Sequence, residues 1–451
     1  MNILFISLGC DKNLADTEMM LGILQKEGYQ FTNDEADADI AVVNTCCFIG
    51  DAKEESINTL LELAELKKSR LKVLVAAGCL AQRYREEIQR EIPEVDAVVG
   101  TTAMEEIAVA VKEALEQRGG QHFRSLNAEP AALCDRVLTT GGHFAYLKIA
   151  EGCDKRCTYC IIPKVRGGYR SIPMEKLEAQ AEALAAKGVG ELILVAQETT
   201  LYGVDLYGKK CLPELLRRLA KVQGIRWLRI LYCYPEEITE ELIETIATEP
   251  KVCHYLDIPI QHAADNVLKR MGRRTNEEEL RRMIGRLRER IPDICLRTTL
   301  ISGFPGETQE DFEELYRFVN EMEFDRLGVF PYSREEDTAA AMMPEQIPDD
   351  VKETRREELM ELQQAISYDK GESMIGRVLD AIVEGKVADE DVYIARTYRD
   401  APDVDGYLFL NTRKELMTGD FVTALVTGSN EYDLIGELYG KENEGENEPT
   451  Q

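Results

Sequence analysis

The first part of the chain alternates short apolar runs with amphipathic stretches. Three apolar runs have the length of strands: residues 3–8, 40–43 and 71–76. Each is followed by a stretch with apolar side chains at helical spacing: residues 14–27, 52–68 and 82–90. Strands that alternate with helices favour βαβ units around a parallel sheet. We therefore expect an α/β domain over residues 1–117.

After a segment with several Gly and Pro residues, 118–138, the alternation restarts and continues for longer. Six strands are predicted: residues 145–149, 191–196, 227–232, 255–259, 295–301 and 326–330. Helices are predicted between and after them: residues 174–187, 213–221, 237–248, 276–290, 308–323 and a long charged one near 349–370. Six βα repeats favour an open, partial TIM-type barrel over a closed eightfold one. The pattern thus predicts a linker at 118–138 and a barrel domain at 139–369.

The last part of the chain changes character. Short β-type runs are separated by Gly and Asp turns: residues 377–387, 392–397, 406–410, 421–427 and 434–438. This pattern predicts a small all-β, OB-like barrel over residues 370–439. The acidic tail, residues 440–451, is predicted to be disordered because it lacks apolar side chains that could be buried.

The composition is that of an ordinary globular protein, with 44% hydrophobic and 30% charged residues. No apolar run approaches the roughly 20 residues that span a bilayer. The first residues lack the basic stretch of a signal peptide. We therefore expect a cytoplasmic protein with no membrane partner.

The charge is strongly acidic, since 83 Asp and Glu residues face 54 Lys and Arg residues and give a net charge of −29. Nucleic acids are bound mainly through Lys and Arg on phosphates, so a wide nucleic-acid footprint is disfavoured. A basic protein partner suits this surface better. The alternative is that the charge only keeps the protein soluble.

The strongest chemical motif is a C-x3-C-x2-C run formed by Cys153, Cys157 and Cys160, here called the first triad. It directly follows the first strand of the predicted barrel, at the carboxyl end where barrel active sites lie. Three such thiolates can bind three irons of a [4Fe–4S] cluster and leave the fourth iron open. Structural zinc would need a fourth ligand, and no nearby Cys or His supplies one. The run resembles the cluster motif of the radical S-adenosylmethionine (SAM) superfamily.

Three further cysteines, Cys10, Cys46 and Cys79, each follow a predicted strand of the N-terminal domain. We call them the second triad. The carboxyl ends of parallel strands meet at one edge of a sheet, so the three thiols can converge on a second cluster. Cys47 is the ambiguous neighbour, and we choose Cys46 because adjacent side chains diverge. The other cysteines have no partner at ligand spacing and are expected to be structural: Cys134, Cys211, Cys233, Cys253 and Cys295.

The pattern of two triads and three domains resembles the radical SAM methylthiotransferase family over most of the chain. This resemblance implies a flavodoxin-like N-terminal domain, a partial (β/α)6 radical SAM barrel and a C-terminal barrel of the TRAM type. It also implies two [4Fe–4S] clusters, and SAM as the source of both a 5′-deoxyadenosyl radical and the methyl group. Sulfur would be delivered through the second cluster, and an electron donor and a sulfur donor of unknown identity would be needed.

SAM contacts are predicted at strand ends of the barrel. Residues 300–308 resemble the glycine-rich stretch that lies beside SAM in this superfamily, and residues 195–198 resemble the segment that binds its methionine end. The same residues could be a strand-to-helix turn with Thr308 as the N-cap, and Arg297 and Thr299 could simply face into the barrel. The predicted SAM-binding residues are Gln197, Arg297, Thr299, Gly303 and Gly306.

Two substrate classes compete within this family, a tRNA adenosine derivative and an aspartate of ribosomal protein uS12. Residues 9–18, 51–57, 231–235 and 257–262 resemble the uS12 branch, whereas the tRNA branch usually carries Gln-Met-Asn after the first cysteine. From residue 370 onward 8 basic residues face 18 acidic ones, a net charge of −10 that would repel tRNA. We therefore predict uS12, free or in the small subunit, docked by the C-terminal barrel.

Other readings of the chain stay open at this point. The main alternative is a tRNA methylthiotransferase, and a remote one is an iron–sulfur electron carrier or sensor without catalysis. No catalytic side chain is predicted beyond the cluster ligands. The roles of Lys12, Cys47 and His262 are not decided by the sequence.

Overall fold

A computed structural model describes residues 1–132 and 135–440. The predictions for Cys134 and for the tail at 441–451 lie outside these residues. The described residues form an N-terminal α/β domain, a core α/β domain and a C-terminal barrel, as the sequence predicts. No helix among them is long and apolar enough to cross a bilayer.

The N-terminal domain is built on a six-stranded parallel sheet in the order β2-β1-β3-β4-β5-β6. Its strands are β1 (Asn2–Ser7), β2 (Gln30–Thr32), β3 (Ile40–Thr45), β4 (Val73–Ala77), β5 (Ala97–Val99) and β6 (Gln121–His122). Its helices are α1 (Asp11–Lys26), α2 (Gly50–Glu65), α3 (Gly78–Arg83), α4 (Arg85–Glu91) and α5 (Ile107–Leu115). This order confirms the flavodoxin-like prediction.

Both faces of this sheet are buried, which explains the continuous apolar runs in its central strands. Val42 packs with residues of α1 and α5 on one face. Its neighbour Val43 packs with residues of α2, α3 and α4 on the other. The sequence pattern missed β2, β5 and β6, which are two or three residues long. The single helix predicted at 82–90 is wrong, because the chain forms α3 and α4 with a break at Tyr84.

The core domain is an open, six-stranded parallel sheet in the order β14-β13-β12-β11-β10-β7, with helices outside it. Its strands are β7 (Phe144–Lys148), β10 (Glu191–Val195), β11 (Trp227–Ile230), β12 (Val252–Asp257), β13 (Cys295–Ser302) and β14 (Arg326–Pro331). Strands β8 (Ala150–Glu151) and β9 (Arg170–Ser171) form a separate antiparallel pair. The helices are α6 (Ile162–Val165), α7 (Met174–Ala186), α8 (Val204–Tyr207), α9 (Leu212–Leu219), α10 (Glu240–Thr248), α11 (Asp265–Arg270), α12 (Glu277–Arg290), α13 (Gln309–Met322) and α14 (Asp349–Glu372).

The C-terminal domain is a closed five-stranded barrel in the order β15-β16-β17-β19-β18. Its strands are β15 (Val378–Lys386), β16 (Val392–Thr397), β17 (Leu408–Asn411), β18 (Phe421–Ser429) and β19 (Leu434–Leu438). Closure leaves no free edge, so a domain of this size can be stable without a second sheet.

The C-terminal barrel covers the amino ends of the core strands. Glu191, the first residue of β10, binds Arg396 of β16 at 2.8 Å and Arg229 of β11 at 2.7 Å, and all three side chains are fully buried. The Trp227 ring, at the start of β11, meets the Phe421 ring of β18 edge to face at 5.1 Å. The opposite, carboxyl ends of the core strands are left for the N-terminal domain and the cysteine loops.

Candidate functional site

The first triad lies on a loop at the carboxyl end of β7. The β8–β9 pair closes this loop at its base, and the N–H of Cys153 donates to the carbonyl of Gly167 at 3.1 Å. Arg156 has a φ of 55°, which turns the chain sharply between the first two cysteines. Cys153 and Cys157 are buried and Cys160 is half-buried. One short segment therefore presents all three thiols.

Burial governs the ionisation of two of these thiols, Cys153 and Cys160. It raises the pKa of Cys153 to about 12 and also raises the pKa of Cys160. The Sγ atom of Cys157 lies 3.2 Å from the hydroxyl oxygen of Tyr234. Such thiols stay protonated unless a cation lies beside them, so this set of donors suits a positively charged metal centre that displaces the protons.

Gln197 and Glu198 follow β10 and lie beside this loop. The side chain of Gln197 accepts from the N–H of Gly152 at 2.8 Å and donates to Glu151 at 2.9 Å, so it orients the segment that leads into Cys153. Glu198, which the sequence analysis missed, is fully buried, and burial raises the pKa of its carboxyl to about 7. Its Oε2 atom has no hydrogen-bond partner among the described residues. An open, buried carboxylate oxygen fits a cationic group such as the ammonium of SAM.

The second triad lies at the carboxyl edge of the N-terminal sheet. Cys10 precedes α1, Cys46 follows β3, and Cys79 is in the first turn of α3. Gly9 has a φ of +86°, and a Cβ atom there would lie 2.7 Å from the Sγ of Cys46. This close approach brings the Cys10 loop against Cys46. Burial raises the pKa of the Cys46 thiol to about 12, and Cys79 and Cys10 lie near enough to contribute to that rise.

Cys47 is as buried as its neighbour and also lies near Cys79. It packs in the apolar layer under α2 and α3, and its carbonyl accepts from Arg83 at 3.4 Å. The position of Gly9 favours Cys46 as the residue that faces Cys10. Our choice of Cys46 stays a prediction.

Asn13 ties the loops of the second triad together. Its amide nitrogen donates to the carbonyls of Leu8 at 2.9 Å and Thr45 at 3.1 Å, next to Cys10 and Cys46. Its Oδ1 atom lies 3.8 Å from the Sγ of Cys79. Asn13 therefore orders the cysteine loops from inside the protein, where it is fully buried.

Four charged residues lie between the two triads: Asp16, Glu151 and Arg166, which are buried, and Lys148, whose side chain is mostly buried. Two are acidic and two are basic, so the group is neutral. Burial alone would raise the pKa of Glu151, but Arg166 and Lys148 outweigh it and lower that pKa to about 2. The group joins the N-terminal domain to the core at the edge where both triads lie.

Lys12 and His262, which the sequence left undecided, have different surroundings. The ammonium of Lys12 lies 2.9 Å from Asp11 and 3.2 Å from the centre of the Tyr232 ring in the core domain. The Nδ1 atom of the fully buried His262 accepts from the N–H of Ala264 at 3.0 Å. Lys12 thus lies at a domain contact beside the second triad, whereas His262 stabilises a turn.

The predicted SAM-binding residues on β13 and in the loop after it lie against other residues of the protein in this structure. Arg297 binds Asp257 at 2.8 Å and Asp405 of the C-terminal domain at 3.3 Å. Thr299 is half-buried on the same strand. A Cβ at Gly303 would lie 2.3 Å from Lys352, and one at Gly306 would lie 2.1 Å from the guanidinium of Arg270. Both residues have a positive φ, 69° at Gly303 and 79° at Gly306, which favours glycine whether or not a ligand lies beside them.

Among the described residues, no group of three or more His, Cys, Asp or Glu side chains is arranged to hold a single metal ion. A zinc site would need such a group. In a [4Fe–4S] cubane each cysteine binds a different iron, so its ligands stand further apart. Two sets of three thiols on ordered loops fit that group better than a single ion.

Three family models match the chain in order. A model described as uncharacterized protein family UPF0004 matches residues 2–100, the radical SAM superfamily matches residues 147–319, and the TRAM domain matches residues 375–438. The matches coincide with the three domains of the structure.

Curated relatives match nearly the whole chain. A protein of Lachnoclostridium phytofermentans named ribosomal protein uS12 methylthiotransferase RimO is 60% identical over 97% of this chain and 99% of its own length. A protein of the same name from Acetivibrio thermocellus is 52% identical over 96% of this chain and 97% of its own. Among solved structures, the radical SAM methyltransferase TsrM of Kitasatospora setae is similar with a TM-score of 0.56 and 15% identity over 76% of this chain and 77% of its own. At that identity the likeness concerns the fold alone.

Proposed function

Because this chain belongs to the radical SAM methylthiotransferase family, we propose that it places a methylthio group on the β-carbon of an aspartate in ribosomal protein uS12. The substrate class is supported by the names of relatives that are 47–60% identical over nearly their full length. The observation that carries the chemistry is the position of the two triads. They lie on either side of the interface between the N-terminal and core domains, where Arg166 of the core contacts Cys79 at 3.3 Å.

Each triad would hold one [4Fe–4S] cluster. Cys153, Cys157 and Cys160 are the proposed ligands of the SAM-binding cluster, since they share one loop beside the open carboxylate of Glu198. Cys10, Cys46 and Cys79 are the proposed ligands of the second cluster. When bound, the clusters and SAM supply the radical chemistry, the sulfur and the methyl group.

The side chains of this protein bind and orient rather than react. Gln197 and Glu198 would hold the amino-acid end of SAM, because one fixes the loop and the other offers an unpaired, buried acceptor. Arg297, Thr299, Gly303 and Gly306 stay predicted contacts. We propose no catalytic side chain beyond the six cysteines. The amino ends of the core strands are closed by the C-terminal barrel, which helps to keep water from the interior.

The partners of the proposed reaction are uS12, an electron donor and a sulfur donor. The acidic surface supports a basic protein substrate over tRNA. The C-terminal barrel contacts the core at the edge opposite the triads, so a partner bound to its outer face would be held away from them. Its role in docking stays a prediction.

The test is a comparison of substrates by mass spectrometry. The anaerobically reconstituted protein is incubated with SAM, a reductant and sulfide, and with isolated uS12, small ribosomal subunits or tRNA in separate reactions. We expect uS12, free or in the subunit, to gain one methylthio group on an aspartate, located by fragmentation. The Cys153→Ala variant is the control and should give no product. Modification of tRNA alone would refute the proposed substrate.

A further inference from the structure

Arg166 is a buried arginine that lies between the two cysteine triads. It follows α6, six positions after Cys160, and its side chain is 1% exposed. The Nε atom lies 3.3 Å from the Sγ of Cys79. One terminal nitrogen donates to Asp16 at 2.7 Å and to Glu151 at 3.2 Å, and the other donates to Asn13. Every nitrogen of the guanidinium is therefore used.

These partners belong to two domains. Asn13, Asp16 and Cys79 come from the N-terminal domain, while Arg166 and Glu151 belong to the core. Glu151 is two residues before Cys153 and is held in turn by Gln197 at 2.9 Å. A continuous path of hydrogen bonds thus runs from the loop of the first triad, through one guanidinium, to a thiol of the second.

We propose that Arg166 is a positioning residue that fixes the second triad against the first and raises the reduction potential of the cluster bound to Cys79. The planar fork of an arginine can hold several acceptors in fixed directions, which an ammonium cannot do equally well. An N–H donated to a ligand sulfur, together with a buried positive charge, stabilises the more negative, reduced state of a cluster. The inference rests on the proposed function only in taking Cys79 as a ligand.

Because the charges around Arg166 balance, removing a positive charge and removing a negative charge are expected to shift the reduction potential in opposite directions. Removing the guanidinium takes away a positive charge and leaves the negative charges of Asp16 and Glu151 near the cluster, so reduction of the cluster becomes harder. Neutralising Glu151 removes a negative charge and leaves the guanidinium only partly balanced, so reduction of the cluster becomes easier. A residue that served packing alone would not give shifts of opposite sign.

The experiment uses the full chain with the first triad replaced by alanines, so that only the second cluster is loaded. The parent protein is compared with Arg166→Gln, Arg166→Lys and Glu151→Gln. Arg326→Gln is the matched control, because Arg326 is also a mostly buried arginine in an ion pair, with Asp400 at 2.5 Å, but lies at the C-terminal barrel. Iron content is measured first, and the midpoint potential is then measured by redox titration with electron paramagnetic resonance.

We expect a more negative midpoint for Arg166→Gln, a smaller negative shift for Arg166→Lys, a positive shift for Glu151→Gln and no shift for Arg326→Gln. If Arg166→Gln does not bind a cluster, the test rests on the directions of the midpoint shifts in Arg166→Lys and Glu151→Gln. A midpoint equal to that of the parent in the Arg166 variants, or shifts of one sign in all variants, would overturn the inference. So would a parent protein that binds no iron. Because no substrate is present, failure to modify uS12 leaves this result unaffected.

Discussion

The ammonium nitrogen of Lys12 lies 3.2 Å from the centre of the Tyr232 ring. Lys12 belongs to the first turn of α1 in the N-terminal domain, and Tyr232 follows β11 in the core. The same tyrosine donates from its hydroxyl to Asp11 at 3.1 Å. Two consecutive residues directly after Cys10 are therefore held by one aromatic side chain of the other domain.

This contact predicts a loss of stability when the cation is removed. Lys12→Met should lower the free energy of unfolding by about 1–3 kcal/mol, because the substitution removes a cation–π contact and leaves Asp11 without its cationic partner. Lys26→Met is the matched control on the same helix, since Lys26 forms an ion pair with Asp135 in which both side chains are more than half exposed. Urea titration measures both variants. Equal effects of the two substitutions would contradict the prediction.

The choice between Cys46 and Cys47 predicts different iron contents for two neighbouring variants. Anaerobic reconstitution of the parent should give about eight irons per chain, as two cubanes require. Cys46→Ala should lower this to about four, because the second triad loses a ligand, while Cys47→Ala should keep about eight. Iron and sulfide assays measure both. The reverse order would assign Cys47 as the ligand, and no loss in either variant would show that neither cysteine is needed to hold the second cluster.

Gly9 and Gly28 have the same backbone angle but different surroundings, so alanine substitutions at the two positions distinguish backbone strain from a steric clash. Gly9 and Gly28 both have a φ of +86°, but only Gly9 has a close neighbour, Cys46, whereas nothing lies within 4 Å of a Cβ at Gly28. Gly28→Ala should cost about 1 kcal/mol of stability through strain and keep both clusters. Gly9→Ala should in addition displace Cys46 and lower the iron content to about four per chain. Full iron loading of Gly9→Ala would show that Cys46 can move without losing its ligand role.

Glu191 predicts an acid-sensitive contact between the core and the C-terminal barrel. Burial opposes its ionisation, but Arg396 and Arg229 outweigh burial and hold the pKa of the carboxyl below its usual range. Because the folded-state pKa lies below the unfolded value of about 4.3, the stabilisation is present above that value and is lost as the pH falls through the folded-state pKa.

The corresponding variant gives the measurement. Glu191→Gln should cost about 3–5 kcal/mol at pH 7, because it leaves two buried guanidinium groups short of a charge partner. The difference from the parent should shrink as the pH falls below about 4. Glu361→Gln, on an exposed position of α14, is the control and should differ little from the parent at any pH. A difference between Glu191→Gln and the parent that does not change with pH would rule out an ionised Glu191 as the cause.

The sequence predicted those parts of the site whose signal is local. The first triad is a short motif on one loop, and the second triad was proposed because each cysteine follows an apolar strand; the role of both as cluster ligands stays a prediction. Asn13 was covered by the sequence analysis only as part of the stretch 9–18, and the structure shows that it contacts all three loops. The domain order was predicted well because long buried strands carry strong apolar runs, whereas the short β2, β5 and β6 do not.

The parts that were missed depend on distant partners. Arg166 reaches Cys79 across 87 positions, and no spacing rule connects a single arginine to a cysteine so far away. Arg297 was predicted to contact SAM, with an inward position in the barrel as the alternative, and no local signal connects it to its partner Asp405, which comes from another domain. Glu198 is adjacent to a predicted residue, and only the burial of its open oxygen distinguishes it from an ordinary surface glutamate.

The C-terminal barrel on the amino ends of the core strands has a consequence for the order of events. With that end covered, the two triads lie at the opposite, carboxyl ends of the core strands, so the SAM and the substrate of the proposed reaction would both approach the core domain from that side. Ligands that bind from the same side can hinder one another, so we expect the steady-state kinetics of the proposed reaction to be sequential, with inhibition by an excess of the ligand that binds second.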